Sequence, residues 1–153
     1  MKQARTFCTA VGLLVACCLP VPAQELGFWR AANSTAQSVT GDLLISDAKI
    51  SINFANFDIV RARDLSSGEI SSVFDADSNA NNVGHLYRVN IPASKKFMHK
   101  STLCGSEDTE WMATYVEGRS LHLAFFSGSK APVFTVDAIS NSTNLCGTYS
   151  YTR

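Results

Sequence analysis

Residues 111–126, WMATYVEGRSLHLAFF, hold the pattern that decides the fold. On either side of Gly118-Arg119, the side chains alternate with a period of two, so that every second residue, such as Leu121 and Leu123, lies on the same face. This is the period of a β-strand, whose successive side chains point to opposite faces. A two-residue connection with Gly at its first position is typical of a tight hairpin. The segment therefore predicts two antiparallel strands.

The same period recurs along the chain in segments rich in β-branched and aromatic residues. Ile50, Ile52 and Phe54 form one such set. Alternation also runs through residues 86–91, 133–139 and 148–151. Turn residues separate the segments at Thr40-Gly41-Asp42, Ser46-Asp47, Ala55-Asn56, Ser66-Ser67-Gly68 and Ser127-Gly128-Ser129. We predict an all-β fold, an antiparallel barrel or barrel-like sandwich of eight to ten short strands.

Helical periodicity is absent from every window of a dozen residues after residue 23. Amphipathic helices repeat their apolar positions every three or four residues, and no such repeat is sustained here. Any helix is therefore expected to be short, near Thr35–Val39 or Ala93–His99.

The composition limits the class of protein. The chain has 153 residues, of which 13 are basic and 13 acidic, and 46% are hydrophobic. That size suits one domain with a packed core. Nucleic-acid binding requires an excess of Lys and Arg on one face, so the balanced charge argues against a nucleic-acid partner. The sequence contains no phosphate-binding Gly loop or dinucleotide fingerprint, and we expect no cofactor.

Residues 1–23 have the pattern of a secretory signal peptide. Two basic residues precede residues 7–19, which carry no charge, and the small residue Ala23 follows. The uncharged stretch is too short to span a bilayer, which takes about 20 residues. We therefore expect a single β domain over residues 24–153, without a transmembrane segment, in the periplasm or outside the cell.

Residues 14–17 (Leu-Val-Ala-Cys) offer an alternative, since they are similar to a bacterial lipobox in which Cys17 would receive a lipid anchor. That processing would leave Cys18 as an unpaired thiol in an oxidising compartment. Removal of the whole signal peptide leaves only Cys104 and Cys146, an even number. We favour the unanchored form, with an outer-membrane lipoprotein anchored at Cys17 as the alternative.

Cys104 and Cys146 are expected to form a disulfide, because an exported chain meets an oxidising environment. A redox pair or a metal site requires closer spacing, such as Cys-x-x-Cys. In the chain-entropy model, closing this loop stabilises the fold by about 4 kcal/mol.

Gly27-Phe28-Trp29 opens the first strand of the expected domain. A Gly-x-Trp in this position resembles the start of lipocalin-like small barrels. The resemblance implies that Trp29 plugs the closed end of the barrel and that a basic residue of the last strand covers it. Arg153 is the candidate for that basic residue.

Catalytic and metal-binding patterns are weak. His85, His99 and His122 share no metal-ligand spacing, and the sequence has neither a His-Glu-x-x-His motif nor a Gly-x-Ser-x-Gly elbow. We predict that the protein is not an enzyme and holds no metal. The alternative is a small secreted hydrolase that uses acidic residues or His85, His99 and His122 in an arrangement that the sequence does not reveal.

Residues 75–84 form the one long polar loop. Its acidic and amide side chains occupy the first four odd positions of a calcium-loop pattern: Asp75, Asp77, Asn79 and Asn81. Position 6 is Ala80 rather than Gly, and position 12 is Leu86 rather than the bidentate Glu. A solvated turn is therefore favoured over a calcium site.

A candidate partner-binding loop consists of Ser127, Gly128, Ser129 and Lys130, followed by Ala131. It resembles the Ser/Gly-rich loop with which small periplasmic β-barrel inhibitors of c-type lysozyme enter the enzyme cleft. The resemblance implies an inhibitor that inserts residues 127–131 into a hydrolase, with residues 121–126 and 133–139 as rigid flanking strands. An ordinary hairpin turn is the competing interpretation.

We predict an exported, non-enzymatic β-barrel binding module for a small apolar ligand or for a secreted or periplasmic protein. The alternative is a periplasmic inhibitor of a c-type lysozyme or a protease. The barrel interior distinguishes the cases. An apolar cavity favours a small ligand, a filled core with a protruding 127–131 loop favours a protein partner, and a His beside an acid favours an enzyme.

Overall fold

The computed structural model describes residues 24–80 and 82–153, so the predicted signal peptide and Cys17 lie outside the described residues. Eight antiparallel strands, each paired with the next and the first with the last, form a closed barrel. The strands are β1 (Gly27–Ala31), β2 (Leu43–Ile45), β3 (Lys49–Ile52), β4 (Ala55–Leu65), β5 (Val83–Ile91), β6 (Thr109–Glu117), β7 (Ser120–Ser127) and β8 (Leu145–Thr152). The predicted antiparallel all-β class is confirmed. Of the two predicted forms the fold is the barrel, and its eight strands are the lower end of the predicted eight to ten.

Successive connections alternate between the two ends of the barrel. One end, called here the plugged end, carries the chain before β1 and the connections 46–48, 66–82 and 118–119. The other, called the loop end, carries the connections 32–42, 53–54, 92–108 and 128–144. The predicted hairpin at Gly118-Arg119 is present, with Gly118 at a φ of 56°.

Inward-facing side chains from every strand fill the barrel. They include Trp29, Leu43, Ile45, Ile50, Ile52, Ile59, Tyr87, Val89, Ile91, Met112, Val116, Leu121, Leu123, Phe125, Tyr149 and Tyr151. Phe97 and Leu103 from the 92–108 connection and Ala36 join them at the loop end. A core of this kind leaves the interior occupied by the protein's own side chains.

Three helices and a 3₁₀ turn accompany the strands: α1 (Ser34–Val39), α2 (Ser67–Phe74), α3 (Val136–Ser140) and the turn Met98–Lys100. Helix α1 is the short helix predicted near Thr35–Val39, and the Asn33 side chain caps it by accepting from the Ala36 N–H. The short helix expected at Ala93–His99 is reduced to the 3₁₀ turn.

Two segments form helices where the sequence predicts a break or a strand. Ser66-Ser67-Gly68 is not a break but the start of α2, because Ser66 and Glu69 form a reciprocal capping box. The strand predicted for residues 133–139 is wrong, since α3 lies there. The Thr135 hydroxyl accepts from the Ala138 N–H, which starts a helix where a strand was expected.

A second apolar cluster lies on the outer face of β5, β6 and β7. Helix α2 and the segment carrying α3 cover it, so this side of the barrel is two layers thick. Its buried residues are Leu65, Ile70, Val73, Leu86, Ala113, Tyr115, Ala124, Phe126 and Phe134.

The predicted disulfide is confirmed. Cys104 and Cys146 are bonded, with their Cα atoms 4.9 Å apart. The bond joins the 92–108 connection to the start of β8 at the loop end. It therefore ties one of the four loop-end connections to the last strand of the barrel.

Candidate functional site

Trp29 lies completely buried inside the plugged end. Its indole Nε1 donates to the Glu25 carbonyl oxygen at 2.8 Å, and the Arg153 guanidinium lies 4.5 Å from its ring centroid. Arg153 also donates to the Leu26 carbonyl at 3.2 Å. Arg153 thus covers the Trp29 ring, which is the one of these contacts that the resemblance to lipocalin-like barrels implies. The plug role of Trp29 and membership of that family stay predictions.

A polar cluster extends from this plug into the barrel. The Glu25 carboxylate Oε1 accepts from Tyr87 at 3.1 Å and Thr114 at 3.0 Å, and it contacts Nδ1 of His85. The other oxygen, Oε2, is buried without a hydrogen-bond partner among the described residues. The far nitrogen of His85 lies 4.0 Å from Asp64 at the rim. A His beside an acid is therefore present in the interior.

This cluster is closed to a substrate. Glu25 is 1% exposed and His85 is 4% exposed. A catalytic base must come within hydrogen-bond reach of the substrate proton, and packed side chains surround both groups. Its visible role is to hold the segment before β1 inside the barrel.

The Glu25 pKa reflects two opposing effects. Burial raises it, whereas the hydrogen bond and the charge of His85, with further bonds from Thr114 and the backbone, lower it, and the net pKa lies below the usual 4.5. Burial and the Glu25 charge also raise the Tyr87 pKa, so its phenol stays protonated and donates to the carboxylate. The groups around Glu25 therefore stabilise its ionised form.

We predict that Glu25→Gln lowers the free energy of unfolding at pH 7 by about 1–3 kcal/mol, because the network loses its charged acceptor and keeps only a neutral amide oxygen. Since the folded pKa of Glu25 is depressed, its contribution is present above the unfolded pKa and is lost as the pH falls through the folded pKa. Urea unfolding from pH 7 to pH 3 measures both effects. Glu107→Gln, at an exposed acid, is the control, and an equal acid sensitivity of wild type and Glu25→Gln would contradict the prediction.

The three histidines do not share a site. His85 faces the interior, whereas His122 lies on the outer face, stacked on Tyr115 with ring centroids 5.6 Å apart. Burial lowers the pKa of His122, which hydrogen-bonds to Ser150. His99 is exposed at the loop end, where its Nδ1 lies 3.0 Å from the Ser38 carbonyl.

A groove of about 650 Å³ lies on the outer surface beside the loop end. Its floor is a row of outward-facing neighbours on β1, β2 and β3, in which Phe28 pairs with Leu44 and Leu44 with Ser51. The other walls come from α1, the segment between α1 and β2, the turn after β3 and the 3₁₀ turn: Gln37, Thr40, Gly41, Asp42, Asn53, Phe54 and Met98. The groove is therefore mostly apolar, with a few hydrogen-bonding groups at its edge.

The hairpin between β3 and β4 is the most unusual part of this groove. The alternation of Ile50, Ile52 and Phe54 predicts one strand face, which is wrong for Phe54, and the break predicted at Ala55-Asn56 falls on Asn53-Phe54 instead. Both turn residues have positive φ, 46° and 64°. Phe54 is 100% exposed.

Left-handed backbone disfavours a residue with a large side chain, and a two-residue hairpin of this kind prefers Gly at its second position. An exposed Phe here gains nothing from burial that would offset the strain. Strain and exposed apolar surface at one residue are typical of a functional position.

We predict that Phe54→Gly raises the free energy of unfolding by about 0.5–1 kcal/mol, because Gly adopts positive φ without steric strain. Asn56→Gly, two residues later in a regular strand, is the matched control and should lower it by a similar amount. Urea unfolding measures both. Loss of stability in Phe54→Gly would show that the side chain stabilises the fold.

A second strained segment borders the same groove. His99 and Lys100 have φ of 53° and 60°. Among the described residues, four of the five non-glycine positions with positive φ are Asn53, Phe54, His99 and Lys100. Backbone strain is thus concentrated in two of the three loop-end connections that line the groove.

The candidate loop Ser127–Ala131 is held against the barrel. Trp111 Nε1 donates to the Gly128 carbonyl at 3.1 Å, and Arg88, which stacks on Trp111, donates to the Ser129 carbonyl at 3.2 Å. Ser127 is buried, whereas Ser129, Lys130 and Ala131 are exposed. Only β7 flanks the loop as a strand, because the second predicted flank is α3.

The calcium-loop pattern falls on the connection after α2, and its Asn81 lies outside the described residues. Asp75 ends α2 with a φ of 54°, and the Asp77 carboxylate accepts from the Asn79 backbone and side chain. Within residues 24–80 and 82–153, no cluster of three His, Cys, Asp or Glu side chains has the geometry to hold a metal ion.

The fold and these features define a closed eight-stranded antiparallel barrel with one disulfide and an apolar groove on its outer surface. Comparison with protein-family models, with curated proteins and with solved structures finds no match to this chain. Within the part of the chain that the structure describes, no helix combines the length and the apolar character needed to cross a membrane.

Sequence reasoning missed Glu25 and Phe54. Glu25 has no motif around it, because its partners come from β5 and β6, far along the chain. Phe54 had a readable signal: Asn-Phe stands between two alternating segments, where Asn-Gly is the usual hairpin pair.

Proposed function

We propose that the protein is an exported, non-enzymatic binding module that holds a small amphiphilic ligand in the groove beside the loop end. The observation that carries this proposal is Phe54, which is fully exposed on strained backbone at the edge of an apolar groove. Backbone strain at a residue that exposes an aromatic ring lowers the stability of the fold, and its presence here supports a binding role.

The dimensions and lining of the groove support a small ligand. Its volume of about 650 Å³ falls within the range of about 300–1,000 Å³ that is usual for small-molecule sites. Phe28, Leu44 and Met98 offer an apolar surface, and Phe28 and Leu44 remain 54% and 47% exposed. The filled interior makes this outer groove, rather than a cavity inside the barrel, the preferred site.

Polar groups at the edge define the other part of the ligand. Gln37 and Asn53 present amides, and Asp42 is the one charged residue in the lining. Oδ1 of Asp42 accepts from the Ala31 N–H at 2.9 Å, which orients the carboxylate. An amphiphile with an apolar body and a hydrogen-bonding head fits this arrangement.

Export is part of the proposal. The predicted signal peptide supports it, and a disulfide between Cys104 and Cys146 is stable in an oxidising compartment. The absence of an accessible catalytic arrangement in the polar cluster supports a binding role over the hydrolase alternative.

We predict that residues 24–153, with the disulfide intact, bind N-phenyl-1-naphthylamine, a neutral apolar fluorophore, and that decyl maltoside displaces it. Ser51→Tyr should weaken binding at least tenfold, because a ring projecting from the groove floor occupies the ligand volume. Fluorescence titration measures the Kd. Val60→Ser, which removes a 67% exposed apolar side chain outside the groove, should leave the Kd unchanged.

Two results would refute this ligand site. One is the absence of fluorophore binding at micromolar protein. The other is an equal change of the Kd in Ser51→Tyr and in Val60→Ser. The fluorophore would then be binding to exposed apolar surface in general and not to the groove.

Inhibition of a hydrolase is the second candidate function. The observation in its favour is that Trp111 and Arg88 hold the Gly128 and Ser129 carbonyls, which presents Lys130 on fixed backbone. A preorganised loop loses less conformational entropy when it inserts into a cleft.

We predict for this candidate that the protein inhibits c-type lysozyme or a secreted protease, and that Lys130→Ala weakens inhibition by about 2 kcal/mol or more through loss of a buried charge pair. Ser129→Ala should weaken it less. Titration against both enzyme types measures the effect. Inhibition that neither substitution alters, or no inhibition at micromolar protein, would exclude this loop.

A further inference from the structure

The loop end carries a cationic segment beside the groove. Residues 91–106 contain Lys95, Lys96, His99 and Lys100 and no acidic residue. Met98, which lies among these basic residues in the sequence, lines the groove together with Phe54. Basic and exposed apolar side chains therefore meet on one surface.

From this juxtaposition we propose that the loop end docks on an anionic lipid surface, with Phe54 entering the interface and Lys96, His99 and Lys100 contacting lipid phosphates. The inference rests on the proposed function and deepens it, because it names the lipid phase as the source of the amphiphilic ligand. The groove would then open toward the bilayer.

The cationic segment is anchored and does not trail in solution. Phe97 is buried at the loop end, with its ring centroid 6.0 Å from that of Phe57. On the other side, His99 contacts the Ser38 carbonyl of α1. These contacts fix the segment across the loop end, so its charges keep a constant position relative to Phe54.

These basic side chains are available to a partner. Lys96, His99 and Lys100 are exposed, and the ion pairs formed within residues 24–80 and 82–153 involve none of them.

The acidic residues at the same end are Asp42, Glu107, Asp108 and Asp137. Asp42 and Asp108 are turned onto the backbone N–H groups of Ala31 and Ala93, and Asp137 lies in the first turn of α3. None of the four falls between Lys95 and Lys100, so the positive charge of that segment is not interrupted.

A lipid interface suits this surface better than a second copy of the chain. A fully exposed ring at a hairpin tip needs an apolar medium on all sides, and the adjacent cations need negative charge. An anionic interface supplies both, with roughly fivefold in affinity for each lysine near the surface. A two-fold dimer through this surface would bring both cationic segments into one interface, where their charges repel.

The test uses residues 24–153 with the disulfide formed and sucrose-loaded vesicles, sedimented at low and high salt. We expect binding to vesicles of phosphatidylcholine with about one-third phosphatidylglycerol, at least tenfold weaker binding to phosphatidylcholine alone, and weakening by salt. Lys96→Gln combined with Lys100→Gln should weaken binding about 20-fold. Phe54→Ser should weaken it at every salt concentration.

Matched controls lie outside the loop end. Lys49→Gln removes a cation already paired with Asp58, and Val60→Ser removes an exposed apolar side chain of β4. Both should bind vesicles as the wild type does. Ser51→Tyr should lose fluorophore binding and keep vesicle binding, so failure of the docking proposal can be distinguished from failure of the ligand site.

Three outcomes would overturn the docking proposal. Equal binding to both kinds of vesicle would show that anionic lipid is not the partner. Unchanged binding after the double lysine substitution would show that the cationic segment is not part of the docking surface. Sedimentation equilibrium provides the third. Self-association that Phe54→Ser abolishes, without vesicle binding, would assign the surface to a second copy.

Discussion

Burial of Trp29 is the constraint on which the closed barrel depends. Its strand pairs with β2 on one side and with β8 on the other, so the residue at its centre lies where the sheet closes on itself. The indole finds its hydrogen-bond acceptor in Glu25, and Arg153 covers the ring. Because Glu25 reaches back to β5 and β6 through Tyr87 and Thr114, the same segment ties the closing strand to the opposite wall.

The two ends of the barrel differ in their chemistry. At the plugged end, polar groups are turned inward and satisfy one another, apart from one oxygen of Glu25. At the loop end, apolar and basic groups are turned outward, and the backbone around Phe54 and His99 is strained. A disulfide and the buried Phe97 brace that end. The loop end is thus held in place and exposes apolar and basic side chains. This combination fits the proposed module, which binds through its loops.

The period-two alternation made the barrel predictable, because each strand buries one face and the pattern is local. The same rule failed at Phe54, where a turn residue continued the alternation of its strand. Helix α2 was predictable in principle, since Ser66 and Glu69 have capping-box spacing. The polar cluster was not, because the partners of Glu25 are brought to it only by the register of distant strands. Local rules thus gave the scaffold and missed the contacts between remote segments.

The pairing of β1 with β8 also determines when the barrel can close, because it requires both ends of the described chain. The hairpins β3–β4 and β6–β7 contain only local contacts and can form early, whereas β1 must wait for residues 145–152. Until then the edges of β1 and β7 are unpaired and Trp29 lacks its cover from Arg153. We therefore expect the barrel of a chain synthesised from its N-terminus to stay open, with Trp29 uncovered by Arg153, until its last strand is present.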